Sequence, residues 1–452
     1  MTTSSVLRMP PGFLWGVATA AHQNEGGNRN NQWTAWEDEP GRIYEGQKAG
    51  PATNWWDLET ATADFDRVAE LGLNSLRLSI EWSRIEPEPG QFDPAALHHY
   101  AQMIGLLRER GLEPMVTLHH FTDPRWLTQI GAWENPLSGD YFARYVGRVV
   151  EALGHLVTLW CTINEPTVYA YLGFVEGTFP PGVKNLRRGL RVLRHMLLAH
   201  GRAYRTIHRL QNDARVGLAH HFRLLVPANP ASAADRRAAA FLNQAANRST
   251  FEAITSGRLT PLLGLGQRVT YMIDTCDYFG LNYYSPTRVA FDPARPGAFF
   301  ARQFSDPQAE LSDITPLGEP YGEVNPHGLY QALKQLAPYG KPIYITENGL
   351  PDHDDAIRAR FIATHLAETW LALQEGVDLK GYYHWTLVDN FEWGAGWGLR
   401  FGLYAFDPAT GVRTERPSAG VFGRIARSNG VPRSVLQKVA PAAVEDYFGF
   451  GT

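Results

Sequence analysis

Cysteine is almost missing from this chain: Cys161 and Cys276 are the only two among 452 residues. Each sits inside an apolar run, so the chain has neither a disulfide framework nor a cysteine zinc site, and both read as small buried hydrophobes. Charge of one sign is scarce too. Lys and Arg number 42 against 46 Asp and Glu, a net charge of -4, without the block of like charges that nucleic acid or an anionic membrane would require. No apolar stretch approaches the ~18 residues of a membrane span, and the opening MTTSSVLRMPPG lacks the apolar segment of a secretion signal. The expectation is a cytoplasmic protein with no nucleic-acid or membrane partner. Gly 43 and Pro 30 stay well under the roughly 25–30% that marks low-complexity disorder. The 44% hydrophobic content is enough to fill a sizeable core.

What the chain does have is alternation. Apolar runs of strand length predict strands at Phe13–Ala20, Ser75–Trp82, Pro114–His120, Val157–Ile163, Arg215–His220, Tyr278–Tyr283, Pro342–Thr346 and Gly381–Leu387. Between them lie amphipathic segments, Thr60–Leu71, Ala95–Arg110, Tyr141–Leu153, Leu190–Leu210, Gly328–Leu336 and Ile357–Gln374. Helix-to-strand connections are short and marked by Gly72, Gly111, Gly154, Asn212-Asp213, Gly340 and Gly376, whereas strand-to-helix connections are long. Long loops leaving one end of a parallel sheet mark the face where α/β barrels place their chemistry. The fold expectation is α/β: a single (β/α)8 TIM barrel with elaborated βα loops, residues 1–452 forming one catalytic domain, with an open doubly wound sheet as the second choice. The longest loop, Pro286 to about Pro326, is rich in proline, Pro296 included, and shows no periodicity; it reads as a lid or rim.

Residues just past the predicted strand ends are Gln23 and Glu25; His119 and His120; Asn164 and Glu165; His220; Asn282 and Tyr284; Glu347 and Asn348; and Trp385, Glu392 and Trp393. Taken singly, each has a bland reading. Asn-Glu-Pro is a strand followed by a turn, Glu-Asn-Gly is a turn with positive φ, and Trp385 and the histidines are core residues. Their joint placement at one barrel end shifts the balance. Cleaving an acetal needs two carboxyls facing each other across the bond, and Glu165 and Glu347 are the pair that follow strands four and seven. Amides and imidazoles suit sugar hydroxyls, and indoles suit the C–H face of a sugar ring. Arg77, inside the apolar run Leu76–Ile80, needs a carboxylate partner, and Glu347 is the candidate.

These residues stand in motifs: Thr162-Ile163-Asn164-Glu165-Pro166, Ile345-Thr346-Glu347-Asn348-Gly349, Leu76-Arg77-Leu78-Ser79-Ile80-Glu81-Trp82-Ser83-Arg84-Ile85 and Asp389-Asn390-Phe391-Glu392-Trp393. Through them the chain resembles glycoside hydrolase family 1, the β-glucosidase and β-galactosidase type, from Gly12-Phe13-Leu14-Trp15-Gly16 to at least Arg400-Phe401-Gly402-Leu403. The resemblance implies Glu165 as acid/base, Glu347 as nucleophile and Asn164 as donor to the sugar 2-hydroxyl. Gln23, His120, Glu392 and Trp393 then hold the other hydroxyls, over Trp385 as stacking floor, with Arg77, Asn282 and Tyr284 around the nucleophile. Two departures bear on sugar preference: His22 stands where the family usually has Tyr, and Phe121-Thr122 where Trp-Asp is commoner.

The implied activity is a retaining β-glycosidase acting on β-D-glucosides, and also on β-galactosides and β-fucosides, through a covalent glycosyl-enzyme. The substrate is a small-molecule β-glycoside or oligosaccharide; no metal or organic cofactor is required, and a homo-oligomer is left open. Arg77 and Tyr284 are expected to keep Glu347 ionised, and Glu347 in turn to keep Glu165 protonated. A charged Glu392 is expected to exclude a 6-phosphate. Two rivals stand beside this reading. One is a metal-dependent TIM-barrel hydrolase using His119, His120, His220 and Asp389; the other is a carbohydrate-binding protein without catalysis, which has no need of both glutamates.

Overall fold

The computed structural model describes residues 5–295 and 298–449; the chain start and Pro296 of the long loop, both used above, lie outside them. Eight parallel strands close into a barrel. They are β1 Leu14–Ala18, β2 Ser75–Ser79, β3 Glu113–Thr117, β4 Leu159–Asn164, β5 Arg215–His221, β6 Tyr278–Tyr283, β7 Ile343–Asn348 and β8 Leu379–Trp385. Each pairs with its neighbours in chain order, and β8 returns to β1 with Gly381 opposite Leu14. The closed ring leaves no barrel edge, and the C-terminal ends of all eight strands meet at one mouth.

Helices wrap the ring, and local chemistry sets where they begin. The first three are α1 Leu58–Glu70, α2 Pro94–Glu109 and α3 Ser138–Leu153. They are followed by α4 Leu186–Leu210, α5 Ala233–Asn243, α6 Pro326–Leu336 and α7 Arg358–Gln374. Asp57 accepts from the Thr60 amide at 2.8 Å to start α1, and Asn185 accepts from Arg188 at 3.2 Å to start α4, each meeting a backbone donor that the first turn leaves unpaired. Pro94 and Pro326 sit in the first turns of their helices, where a missing N–H costs nothing. One apolar core runs from Leu7 to Phe448 among the described residues. Among them, no helix is long and apolar enough to cross a membrane.

Two features depart from the regular scheme and both shape the mouth. The proline-rich loop is not structureless: Pro286–Phe291 and Ala301–Phe304 pair antiparallel, and Leu224–Pro227 joins them in a separate three-stranded sheet. A second small core, Ala238, Ala239, Leu242, Val289 and Ala301, fills the space between that sheet and α5. The barrel register also shifts between Cys161 and Asn164 against β5, and between Ile345 and Glu347 against β6. Such irregularities re-aim side chains beside active sites; here they lie one residue before Glu165 and at Glu347. Gly349 does not supply the positive φ that its turn-like context suggests. Its role is close approach instead, because a Cβ there would stand 2.1 Å from the Trp385 carbonyl oxygen.

Candidate active site

The guanidinium of Arg77, on β2, is fully buried at the centre of the mouth. It donates to Glu347 Oε1 at 2.5 Å, to Asn164 Oδ1 at 2.7 Å, to Thr117 Oγ1 at 3.1 Å and to the Thr346 carbonyl at 3.2 Å. One side chain thereby ties β2 to β3, β4 and β7, and the cost of burying its charge is offset by a carboxylate and three further acceptors. Tyr284 completes the shell of Glu347 by donating to Oε2 at 2.6 Å. Glu165 follows β4 in a left-handed conformation, φ 45° and ψ 58°, which a non-glycine residue adopts at a cost that its surroundings must hold. Asn282 Nδ2 donates to Glu165 Oε1 at 2.8 Å and to Asn164 Oδ1 at 3.1 Å. Asn282 stands opposite Glu347 in the β6–β7 register, as expected, while its side chain reaches across to Glu165 and accepts from the Thr346 hydroxyl at 2.6 Å.

The other expected residues gather along one wall. Trp385 Nε1 donates to Glu392 Oε1 at 3.0 Å, and the His120 ring stacks on Trp385 and Trp393 at centroid distances of 5.9 and 6.2 Å. Gln23 is fully buried and donates to the Phe391 carbonyl at 2.9 Å. Asn164 Nδ2 lies 3.1 Å from His120 Nε2. Gln23 Oε1, His120 Nδ1 and Asn390 Nδ2 are buried without a partner. A buried polar group left unpaired costs about 1–3 kcal/mol, so a hydroxyl that reached His120 Nδ1, which belongs to the cleft lining, would recover that cost. Phe121 and Trp393 adopt φ of 67° and 53°, adding two more left-handed residues beside that of Glu165.

Protonation departs from the sequence expectation. Burial pushes Glu347 up to about 7, against the pull of Arg77 and with the help of the Glu165 charge. Glu165 is also buried, yet His221 and Asn282 hold it below the usual carboxylate range. The two buried carboxyls titrate as a pair, and Arg77 and Tyr284 pull Glu347 toward its ionised form. The residue that does most to lower Glu165, His221, is not among the strand-end candidates of the sequence. Its Nδ1 sits 3.2 Å from Glu165 Oε1, and its ring stacks on Tyr284 at 5.9 Å. Glu392 is pushed by burial up to about 8. Burial thus works against the phosphate-repelling charge expected of it, while the Trp385 indole and Gln23 favour that charge.

Several of the strand-end residues lie away from the cleft. His220 packs against Phe251 and meets Asn247 Oδ1 at 3.1 Å. The apolar run ends at His220, but β5 continues to His221, and successive side chains point to opposite faces. His119 pairs with Asp123 at 3.0 Å, Glu25 with Arg84 at 2.8 Å, and Asp389 with Arg416 at 2.8 Å. Asn348 braces the barrel by donating to the Tyr283 carbonyl and accepting from Tyr382. The histidines and Asp389 considered as metal ligands thus have other partners. Among the described residues no group of three His, Cys, Asp or Glu is placed to hold a metal ion. Of the departures from the family pattern, His22 bonds Glu37 at 2.7 Å and stacks on Trp393 at 5.7 Å, while Phe121 packs edge-on against Trp393.

Comparison with known proteins gives one answer. The model of glycosyl hydrolase family 1 matches residues 6–431. A β-glucosidase A from Thermotoga maritima is 32% identical over 94% of this chain and 99% of its own. A β-galactosidase from Pyrococcus woesei is 30% identical over 95% and 99%. Among solved structures, a β-glycosidase from Pyrococcus horikoshii superposes with a TM-score of 0.85 at 35% identity, covering 96% of this chain and 98% of that one. The Thermotoga maritima β-glucosidase in complex with glucoimidazole gives 0.87 at 32% identity, over 94% and 100%.

Proposed function

The chain belongs to glycosyl hydrolase family 1, and from that premise we propose that it hydrolyses β-glycosides with net retention, Glu347 attacking the anomeric carbon and Glu165 serving first as acid and then as base. The supporting observation is the asymmetry of the two carboxyls. Glu347 holds a guanidinium at 2.5 Å and a phenol at 2.6 Å, whereas Glu165 holds an amide at 2.8 Å and an imidazole at 3.2 Å.

A permanent cation and a hydroxyl donor on Glu347 stabilise the carboxylate that must attack. The contacts on Glu165 include no permanent charge, so its proton affinity follows its neighbours. Facing the negative Glu347, the buried Glu165 holds a proton and delivers it to the departing oxygen. Esterification of Glu347 removes that negative charge, the affinity of Glu165 for its proton falls, and it can then accept a proton from water attacking the glycosyl-enzyme. Two inversions leave the configuration unchanged. The guest lies along the polar wall of the cleft: Gln23, His120, Asn164 and Glu392 engage hydroxyls, and Trp385 and Trp393 cover the C–H face. This chemistry uses no metal or organic cofactor. The relatives named β-glucosidase and β-galactosidase support action on β-D-glucosides and β-galactosides, and the proposal extends to β-fucosides.

The test is the anomer released first from an aryl β-glucoside, read by proton NMR before mutarotation. β-Glucose is expected. α-Glucose appearing first would remove Glu347 from the role of nucleophile.

A further inference from the structure

The motif Asp389-Asn390-Phe391-Glu392-Trp393 gives Glu392 and Trp393 to the cleft, but its first residue, Asp389, does not line it. Asp389 is 1% exposed, and its carboxylate takes both prongs of the Arg416 guanidinium, at 2.8 and 2.9 Å. The same carboxylate accepts from the backbone amides of Gly402 at 2.8 Å and Phe406 at 3.3 Å, with Arg400 Nη1 3.6 Å away. Arg416 also donates to the Gly402 carbonyl at 2.7 Å. Asp389 and Gly402 are thus the two ends of one excursion of the chain, and Glu392 and Trp393 lie between them. Gly402 permits the closure, because a Cβ there would run into the Asp389 nitrogen.

Further charges tie this excursion to the connection that leaves β7 after Glu347. Arg358, the first residue of α7, is fully buried; it donates to the Arg400 carbonyl at 2.8 Å, to the Asp352 carbonyl at 2.6 Å and to the Asp355 carboxylate. Asp352, on that connection, gives its own amide to the Arg400 carbonyl at 3.0 Å. Asp355 accepts from the Ser418 amide at 2.8 Å in the first turn of α8, Pro417–Arg427, whose N-cap is Arg416. Arg416, Arg400 and Arg358 with Asp389, Asp355 and Asp352 therefore form one network between the loops that follow β7 and β8. Burying such a network is a poor source of stability, since the desolvation of each charge offsets most of the attraction. A two-pronged guanidinium–carboxylate pair instead fixes direction as well as distance.

Direction is what the excursion cannot supply for itself. The Glu392 amide donates to the Gly396 carbonyl at 2.6 Å and the Gly396 amide to the Trp393 carbonyl at 3.0 Å, so these bonds stay inside it. Trp393 adds a left-handed φ of 53°, a conformation that persists only where the surroundings enforce it. The anchors outside are Gln23, which donates to the Phe391 carbonyl at 2.9 Å, and the charged base. We propose that Asp389 and Arg416 are positioning residues for sugar recognition: their ion pair clamps the base of the excursion and thereby aims the Glu392 carboxyl at a sugar hydroxyl. The inference deepens the β-glycosidase reading above and rests on it; neither residue touches the sugar.

The experiment measures kcat/KM on 4-nitrophenyl β-glucoside and on its 3-, 4- and 6-deoxy analogues. The variants are Arg416→Lys, which keeps the charge and loses the two-pronged geometry, Asp389→Asn, which keeps the shape and loses the charge, Glu392→Gln, and Arg416→Lys combined with Glu392→Gln. Arg416→Lys is expected to lower kcat/KM on the glucoside about tenfold, and in the Glu392→Gln background about threefold or less, because coupled residues of one network are not additive. The analogue that lacks the hydroxyl served by Glu392 should be nearly spared by both single substitutions. Each comparison between substrates uses one preparation, so a fraction of unfolded protein cancels in the ratio; if Asp389→Asn does not fold, Arg416→Lys decides alone. Equal losses on the glucoside and every analogue, an additive double variant, or no loss in either clamp variant overturns the clamp and leaves the glycosidase reading standing. Wild-type inactivity on the glucoside and all its analogues overturns the glycosidase reading and the clamp with it.

Discussion

The two ends of one cleft are built in opposite ways. The sugar end sits on barrel strands: Arg77, Asn164, Asn282 and Glu347 lie within β2, β4, β6 and β7, and their hydrogen bonds run from strand to strand across the closed ring. The far end is carried by α4, two π turns and a small sheet outside the barrel. One end is polar and buried; the other keeps open aliphatic surface. A rigid polar end suits recognition of an invariant reacting group, and an aliphatic end on connections suits whatever is attached to it.

The sharpest way to break this contrast is at the carboxyls, where the largest effect is expected. Glu347→Ala should lose several orders of magnitude in kcat/KM on every substrate, whatever the aglycone, because a nucleophile is always needed. Glu165→Ala should keep appreciable activity on an aryl glycoside with an acidic phenol and collapse on an alkyl glucoside, because an acid is needed only for a poor leaving group. Added azide should give the β-glycosyl azide with Glu165→Ala and the α-azide with Glu347→Ala. The reverse pattern of azides would exchange the two roles.

A second, intermediate effect is expected at Glu392, whose carboxyl takes the Trp385 indole N–H at 3.0 Å. Glu392→Gln should cost about 10- to 100-fold in kcat/KM, the equivalent of one or two buried hydrogen bonds. The factor should be the same for methyl and octyl glucoside, because the loss lies wholly at the sugar end. A factor that grows with chain length would mean that the two ends are not separate.

The same division decides which parts of the molecule are legible in its sequence. Barrel strands are short apolar runs between helices, so all eight can be read, and the residues at their ends are located by counting. Glu165 and Glu347 stand out because they end two such runs. His221 escapes by a single residue: the apolar run reads as ending at His220, and in a strand one step turns a side chain to the other face. Asn282 falls at the right strand end opposite Glu347, but that its amide spans the mouth to Glu165 at 2.8 Å is a matter of side-chain reach that spacing does not carry. The sheet of Leu224–Pro227, Pro286–Phe291 and Ala301–Phe304 leaves no trace, because proline in the loop breaks alternation and its partner strand is distant in sequence. The aliphatic end of the cleft is hidden for a related reason, since Leu186, Leu190 and Leu193 read as the core face of an ordinary amphipathic helix.

His221 stands where the two ends meet, and the smallest expected effect sharpens the boundary there. It touches Glu165 Oε1 at 3.2 Å and stacks on Tyr284, the donor to Glu347. Burial raises Glu165, and His221 followed by Asn282 and Arg77 lowers it; removing the imidazole takes away the largest lowering influence. In His221→Asn the proton on Glu165 should therefore persist to higher pH. For an alkyl glucoside, whose departure needs that proton, the alkaline limb of kcat/KM should move upward by some fraction of a pH unit, worth a few-fold in rate on the limb. With an activated aryl glucoside the first step needs no acid, so a kcat/KM profile limited by that step should move little. The pair of profiles separates a charge effect on Glu165 from simple damage to the cleft, which would lower both without shifting either. An alkaline limb that stays in place for the alkyl substrate, or moves downward, would show that His221 does not govern the proton on Glu165, and the lowering of Glu165 would need another cause.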